Sequence, residues 1–243
     1  GADAVLVFGG DGPTMPAAAL LVGTGVHLGL IPGGTGNLLA GNLRIPAAPD
    51  RAVEAFLAGR ERRVDLGQVP RDDGPHWFAV AAGAGLDALV MGETGTMAKR
   101  RWGMAAYVAT AARPLPDIRT RPFRVTVDGT VLEREATLAL VANCGEVFPP
   151  YLPLGPGIRP DDGVLDVILV QAHGLLDAGR VLWHVARGHR GGHGAGGRVT
   201  YFRGSEVRVE ADPPQPVELD GDAHGTSPFT ATVVPGALSV LAP

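Results

Sequence analysis

Two glycine-rich loops, each directly after a mostly apolar run, limit the folds open to this chain more than any other feature. The run at residues 4–8 (AVLVF) stops at GGDG, and the run at residues 26–31 (VHLGLI) stops at PGGTGN. Apolar runs of this length are typical of strands buried on both faces of a parallel sheet. Helical patterns follow at residues 15–22, from residue 38, and at residues 50–57. The N-terminal part of the chain therefore predicts an open α/β sheet.

From about residue 63 the pattern changes to short segments rich in Val, Leu and Thr with turn residues between them. These segments predict strands at residues 64–69, 77–81, 123–127, 131–140, 137–143, 164–170 and 207–210. Asp128-Gly129 between two of them is a hairpin signal. Two helices are expected within this half, at residues 97–112 and 175–190. We therefore divide the chain into an α/β domain at residues 1–63 and a mainly antiparallel β domain at residues 64–243. Because one or two βα units normally precede such a first strand, we expect the α/β domain to be incomplete at its N-terminus.

Charge and composition exclude several classes of function. The chain has 21 Lys and Arg against 25 Asp and Glu, so no strong basic field favours nucleic acid as a partner. Cys144 is the only cysteine, which rules out an intrachain disulfide and favours a reducing, cytoplasmic location. Lys99 is the only lysine, so a Walker A loop is absent. Residues 12–43 carry no charge, but three prolines and many glycines there argue against a membrane span.

The two glycine loops are candidates for binding phosphate. Loops at the carboxyl ends of neighbouring parallel strands line one crevice, and glycines let backbone N–H groups approach phosphate oxygens. The helix starts behind them add partial positive charge. The alternative is that each loop is only a tight turn. The candidate nucleotide-binding residues are Gly9, Gly10, Asp11, Gly12, Gly33, Gly34, Thr35, Gly36 and Asn37.

Together with three later segments, these loops resemble the diacylglycerol kinase catalytic family, which includes bacterial lipid kinases and the sphingosine and ceramide kinases. The later segments are residues 82–88 (AGAGLDA), 160–167 (PDDGVLDV) and 219–222 (LDGD). The resemblance implies an N-terminal α/β nucleotide domain and a C-terminal β-sandwich that carries the lipid. It further implies ATP and Mg²⁺ as cofactors, and a hydroxyl of a diacylglycerol-like or sphingoid lipid as phosphate acceptor.

The resemblance also implies roles for individual residues. Asp220 would be the general base, and Asp222 would hold Mg²⁺ or orient Asp220. Asp11 would be a loop carboxylate near the metal. Asp162, with the carbonyls of Arg159 and Val164, would hold a structural Mg²⁺. From the residues alone, Asp220-Gly221 and Asp162-Gly163 read equally as β-turns, and Asp11 as a turn-forming residue.

Three departures from the family pattern keep other functions open. Pro13 stands where the family has threonine, with Thr14 one place later, and proline removes a backbone donor from the loop. The third residue of the family's DGE triplet is here Asp222, and the family extends further at its N-terminus. A catalytically inactive nucleotide-binding protein is therefore one alternative. An NAD kinase-like enzyme is another, because the NAD kinases share the GGDG loop, although the segments at Asp162 and at residues 83–88 match the lipid kinases better. A nicotinamide or flavin oxidoreductase is weaker, because no second strand follows the G-x-G-x-x-A pattern at residues 83–88.

Residues 180–198 form a basic stretch that is expected to be a solvated loop. The functional alternative is that its arginines contact anionic lipid head groups, with peripheral contact at the inner face of the membrane. The assembly state is left open, with a homodimer among the expectations. Histidines in the same stretch match no zinc pattern. The residues concerned are Arg180, Arg187, Arg190 and Arg198, and His184, His189 and His193.

Overall fold

In this computed structural model, the structure describes residues 1–85, 118–147, 152–174, 177, 180–181 and 197–243. The N-terminal elements are β1 Ala4–Gly9, α1 Asp11–Leu21, β2 His27–Pro32, α2 Leu38–Asn42 and α3 Pro49–Ala58. The later strands are β3 Arg60–Arg71, β4 Gly74–Phe78, β5 Ala81–Gly85, β6 Arg121–Val127, β7 Thr130–Ala136, β8 Leu138–Ala142, β9 Glu146–Val147, β10 Leu152–Pro153, β11 Leu165–Val170, β12 Val199–Gly204, β13 Glu206–Ala211, β14 Pro216–Leu219, β15 Asp222–Thr226 and β16 Phe229–Ala242.

The N-terminal elements form the predicted α/β arrangement. β1 and β2 are parallel and in register from Ala4 opposite His27 to Gly9 opposite Pro32, so both strands end at the same edge. α1 begins at Asp11 rather than at residue 15, because proline is tolerated in a first helical turn, where no intrahelical acceptor awaits its N–H. The predicted strands and helices of this part are confirmed, with that earlier helix start.

Two large sheets contain every described strand except β9 and β10. The larger runs β1-β2-β16-β13-β6-β7, with β3 on the other side of β16 and β4 beside β3. The smaller is antiparallel and runs β12-β11-β8-β5-β14-β15. β9 and β10 form a separate pair. The predicted α/β part followed by an antiparallel sandwich is confirmed.

Apolar side chains fill the space between the sheets. One cluster contains Phe78, Phe123, Leu165 and Val207, contributed by both sheets. A second cluster packs α2 and β2 against the sandwich through residues such as Leu39, Leu28, Leu66, Leu238 and Cys144. The N-terminal elements and the sandwich are therefore in direct contact, which brings the glycine loops to the sandwich.

The predicted boundary at residue 63 falls inside β3. β3 pairs with β16 from Arg60 to Gln68, and the end of β16 also pairs in parallel with β2 at Val240 opposite Leu28. The larger sheet thus continues across that position. The division into domains at 1–63 and 64–243 stays a prediction.

Three sequence predictions differ from the structure in detail. The strand expected at residues 131–140 is two strands, because Thr137 bonds the backbone of Ala172 and the chain passes there from one sheet to the other. The segment 77–81 likewise divides between β4 and β5. β9, β10, β12, β14, β15 and β16 were not among the predicted strands. β16 contains Pro235-Gly236, which a register shift between Val234 and Leu238 accommodates within the strand.

The predicted helix at 97–112 lies outside the described residues. Of the helix expected at 175–190, only residues 177, 180 and 181 are described, and all three are helical. Over the described ranges, no helix has the length and hydropathy needed to cross a membrane.

Candidate active site

The two glycine loops touch each other at the ends of β1 and β2. Gly33 donates its N–H to the carbonyl of Gly9 at 2.8 Å. A Cβ on Gly34 would lie 2.5 Å from the Cα of Gly10, so neither residue can carry a side chain without separating the loops. A Cβ on Gly12 would meet no atom within 4 Å. Gly10 and Gly34 are therefore required by contact between the loops, whereas Gly12 faces open space.

Asp11 fixes the second loop to the first. Its Oδ1 accepts the N–H of Leu38 at 2.7 Å, which satisfies a free donor at the start of α2. A Cβ on Gly36 would lie 2.6 Å from Asp11 Oδ2, so this glycine permits the close approach. Burial raises the pKa of Asp11, while hydrogen bonds from the backbone of Leu38 and its neighbours oppose that rise. Asp11 thus bonds across the loops as well as to its own backbone N–H.

Asn37 stabilises the second loop from within. Its φ of 52° is left-handed, a conformation that asparagine tolerates better than most residues. Its side-chain Oδ1 accepts the N–H of Gly34 at 2.9 Å, and its Nδ2 donates to the carbonyl of Gly34 at 2.7 Å. Gly33, Gly34 and Thr35 are exposed. The exposed part of this loop is therefore held in one shape by an amide inside it.

Pro13 and Thr14 lie in the first turn of α1. Pro13 is the third helical residue, where the missing N–H costs the helix no bond but removes one donor from the helix start. Thr14 is buried and donates its hydroxyl to the carbonyl of Gly10 at 2.7 Å. Thr14 therefore does not replace the hydroxyl that the family places at position 13.

Asp220 lies at the turn between β14 and β15, with φ of 49°. Its carboxylate accepts three consecutive backbone N–H groups, from Ala79 at 2.7 Å and from Val80 and Ala81 at 2.9 Å. Burial, with a smaller contribution from the charge of Asp11, raises the pKa of Asp220 to about 6 against the effect of these bonds. The turn of β14 and β15 thus lies close to the glycine loops.

A pair of residues far apart in sequence joins α2 to the sandwich. Asn42 Nδ2 donates to the carbonyl of Glu146 at 2.7 Å, and Glu146 donates its N–H to Asn42 Oδ1 at 3.0 Å. Arg44 binds both carboxylate oxygens of Glu146, at 2.7 and 2.9 Å. A bidentate arginine pair fixes orientation as well as distance. These contacts hold the second glycine loop against the sandwich near Asp220.

Arg203 lies beside Asp162. Arg203 contacts Asp162 through its guanidinium and also binds Asp166, with Nε 2.9 Å from Oδ1. Arg159 pairs with Asp161 at 2.9 Å, and Val164 donates its N–H to Asp162 Oδ1 at 3.4 Å. In the parts of the chain that are described, no group of three or more His, Cys, Asp and Glu is arranged to hold a metal ion. The Mg²⁺ site of Asp162, Arg159 and Val164 stays a prediction, and an ion there would have to displace Arg203.

The comparisons with known proteins agree with this geometry. Residues 1–69 match the profile of the diacylglycerol kinase catalytic domain, and residues 80–242 match the YegS C-terminal NAD kinase beta sandwich-like domain. A protein of Mycobacterium tuberculosis named diacylglycerol kinase is 34% identical over 246 residues, covering 100% of this chain and 78% of that protein. The chain belongs to the diacylglycerol kinase family.

Two further members of the diacylglycerol kinase family are similar to this chain. The diacylglycerol kinase of Bacillus subtilis is 27% identical over 229 residues, covering 93% of this chain and 73% of that protein. A crystal structure of a diacylglycerol kinase from Bacillus anthracis superimposes with a TM-score of 0.74 at 20% identity, covering 99% of this chain and 76% of that one. The structural likeness supports the fold, and the sequence likeness supports membership in a lipid kinase family.

The residues expected from the diacylglycerol kinase family are only partly brought together. The glycine loops, Asp11 and Asp220 lie close to one another, and Asp222 is exposed at the start of β15. Asp162 belongs to a separate cluster with Arg203. Of the arginines expected at lipid head groups, Arg180 is exposed, Arg198 pairs with Asp177, and residues 187 and 190 lie outside the described residues. His184, His189 and His193 also lie outside them.

Sequence reasoning missed the residues that position the site. The partners of Asp220 are backbone groups of residues 79–81, which carry no side-chain signal. Asn42 and Glu146 are 104 residues apart, and neither belongs to a recognisable pattern. A signal for them exists only in the three-dimensional contacts.

Proposed function

We propose that this chain is an ATP-dependent lipid kinase that phosphorylates a hydroxyl of a diacylglycerol-like or sphingoid lipid. The observation that carries the proposal is Asp220, a carboxyl whose pKa burial raises to about 6 and which lies near Asp11 of the glycine loops. A carboxyl with a pKa this close to neutrality is suited to general-base chemistry. The relatives named diacylglycerol kinase support the substrate class.

The glycine loops suit a ligand that carries phosphates. Gly33 and Gly34 are exposed, and the space in front of Gly12 is open. The first N–H groups of α1 have no intrahelical acceptor, so they are available to an anion. ATP with Mg²⁺ would supply the phosphoryl group there. We assign the exposed carboxylate of Asp222 to the ion or to the orientation of Asp220.

In this proposal, Asp220 accepts the proton of the lipid hydroxyl as that oxygen attacks the γ-phosphorus. Only the deprotonated carboxylate can do so. Activity is therefore expected to rise as the pH increases through about 6, the pKa of Asp220. The lipid acceptor also implies contact with a membrane surface, which sedimentation with lipid vesicles would measure.

The test compares two Asp-Gly turns in one protein. Asp220→Asn should lower kcat by about 10²–10⁴, the usual cost of losing a positioned base, while ATP affinity changes by a few-fold at most. Asp128→Asn is the matched control, because Asp128 also has a positive φ and also accepts backbone N–H groups, from Ser205 and Glu206. The assay measures transfer from labelled ATP to diacylglycerol, sphingosine, ceramide and NAD. Unchanged turnover in Asp220→Asn would remove Asp220 from the mechanism.

Pro13 favours one alternative, a nucleotide-binding protein without transferase activity. The loop lacks one donor at position 13, and the hydroxyl of Thr14 is bonded to Gly10. This alternative predicts that ATP binds to the wild-type protein but is transferred to no acceptor in the panel. Transfer to NAD alone would favour the NAD kinase-like enzyme.

A further inference from the structure

Among the described residues, an unusual stretch of backbone at residues 79–81 holds the carboxylate of Asp220. Ala79, Val80 and Ala81 direct three consecutive N–H groups at it. In an extended strand, consecutive N–H groups point to opposite sides, so a regular strand cannot bind one carboxylate in this way. Convergent backbone N–H groups form an anion-binding concavity, and other contacts must keep the peptide groups turned in that direction.

Two buried residues directly after β8 supply those contacts. The carbonyl of Ala79 accepts Asn143 Nδ2 at 2.8 Å and Cys144 Sγ at 3.2 Å. The carbonyl of Val80 accepts the N–H groups of Asn143 at 2.8 Å and of Cys144 at 3.0 Å. Residues 143 and 144 therefore bind the carbonyl side of two of the three peptide groups whose N–H side binds Asp220, those that join Ala79 to Val80 and Val80 to Ala81.

Asn143 also anchors this stretch to the rest of the fold. Its Nδ2 donates to the carbonyl of Asp65 in β3 at 2.8 Å, in addition to Ala79. Asn143 and Cys144 are both 0% exposed, so water cannot easily take over their bonds. An unpaired buried carbonyl is costly, and a peptide that lost its partner would rotate to find another.

We propose that Asn143 and Cys144 are positioning residues that hold residues 79–81 in the orientation that fixes the Asp220 carboxylate at the reaction site. This inference rests on the proposed role of Asp220 as the base. A displacement of about 1 Å in a reacting group can cost about 10²-fold in rate.

The kinetic test uses Asn143→Ala with a control at the other end of the same strand. Thr137 directly precedes β8, is also buried, and bonds the backbone of Ala172 twice at 3.0 Å. Asn143→Ala should lower kcat about 10- to 100-fold with KM for ATP within about threefold. Thr137→Val should leave both constants within about threefold of the wild type.

A double-mutant cycle separates positioning from general destabilisation. If Asn143 acts through Asp220, then Asn143→Ala should lower kcat little or not at all when Asp220→Asn is already present. An equal loss in both backgrounds, or no loss in the wild-type background, would overturn the proposal. Cys144→Ala and Cys144→Ser keep the test open if Asn143→Ala does not fold. Serine retains a donor to Ala79, so it should restore the kcat that alanine loses, and equal kcat in the two variants would count against the proposal.

Amide hydrogen exchange does not depend on catalytic turnover, so it tests the positioning role separately from the proposed function. Amide hydrogen exchange at residues 79–81, measured by NMR, should accelerate at least about tenfold in Asn143→Ala and stay near wild type in Thr137→Val. Unchanged exchange in Asn143→Ala would overturn the positioning role. If Asp220→Asn alone turned over at the wild-type rate, the base assignment would fail, and the exchange data would still decide whether residues 143 and 144 hold this stretch.

Discussion

Replacing Asp220 by asparagine should change how the stability of the protein depends on pH. Burial raises the pKa of Asp220 from the ordinary 3.8 to about 6 in the folded state. Between these values the folded protein keeps a proton that the unfolded chain has released. The folded state therefore binds more protons there, and the free energy of unfolding falls as the pH rises.

The size of this effect follows from the pKa difference. Each unit of pKa corresponds to about 1.4 kcal/mol, so the change from 3.8 to about 6 is worth on the order of 3 kcal/mol. The stabilising contribution is fully present below 3.8 and is lost once the pH exceeds about 6. Asparagine carries no titratable proton, so the variant lacks this contribution to the pH dependence.

The assay is urea unfolding of the wild type, Asp220→Asn and Asp128→Asn at several values between about pH 4 and pH 8. The wild-type free energy of unfolding minus that of Asp220→Asn should fall by about 2–3 kcal/mol across this interval, since the contribution is not yet complete at about pH 4. Hydrogen bonds from Glu206 and Ser205 lower the pKa of Asp128, so the stability that this carboxylate contributes is lost only below pH 3.8. The free energy of unfolding of the wild type minus that of Asp128→Asn should therefore change little with pH over this interval. A flat or rising difference for Asp220→Asn would refute the reasoning.

Three further predictions follow from other contacts. Gly12→Val should weaken ADP binding about tenfold or more in calorimetry without lowering the Tm, because the valine side chain enters open space. Gly34→Val should instead lower the Tm, because its Cβ meets Gly10. An unchanged ADP affinity in Gly12→Val would mean that the nucleotide binds elsewhere. Pro13→Thr should raise kcat/KM for ATP about tenfold by restoring one donor, and a loss of activity would mean that the loop is adapted to proline. Arg203→Gln should destabilise the fold by about 1–3 kcal/mol, since Asp162 and Asp166 lose their cation. Millimolar Mg²⁺ should then raise the Tm of this variant if the predicted metal site can form. An unchanged Tm on the Arg203→Gln substitution would show that these ion pairs contribute nothing to stability.

The sequence predicted the meeting of the glycine loops because local rules were sufficient there. Apolar runs ending in glycine identify buried parallel strands, and parallel strands end at a shared edge. The close approach of Gly10 and Gly34 at that edge is possible only without side chains. Several strands of the sandwich were found by the same local patterns, but β12, β14, β15 and β16 were not predicted, and the change of sheet at Thr137 was missed.

The contacts around Asp220 could not be predicted because they depend on backbone groups and on distant residues. The N–H groups of residues 79–81 exist in any sequence, and only the fold turns them toward one carboxylate. The pairing of Asn42 with Glu146 spans 104 residues, so no local spacing encodes it. The position of the base thus depends on how the sheets and α2 pack together.

The two Asp-Gly turns of this protein show how far packing decides chemistry. Asp128-Gly129 and Asp220-Gly221 both have positive φ at both residues, and each aspartate accepts consecutive backbone N–H groups. Apart from the resemblance of residues 219–222 to the family's triplet, their local sequences give no reason to assign them different roles. Asp128 is exposed and its hydrogen bonds lower its pKa, whereas the burial of Asp220 outweighs three such bonds and raises its pKa. The difference comes from what surrounds the second turn: it is buried against residues 79–81, and Asp11 of the glycine loop lies nearby. The properties of the candidate base therefore depend on the contact between the N-terminal elements and the sandwich. Substitutions that loosen this contact, such as Arg44→Gln, should lower kcat more than they lower the affinity for nucleotide.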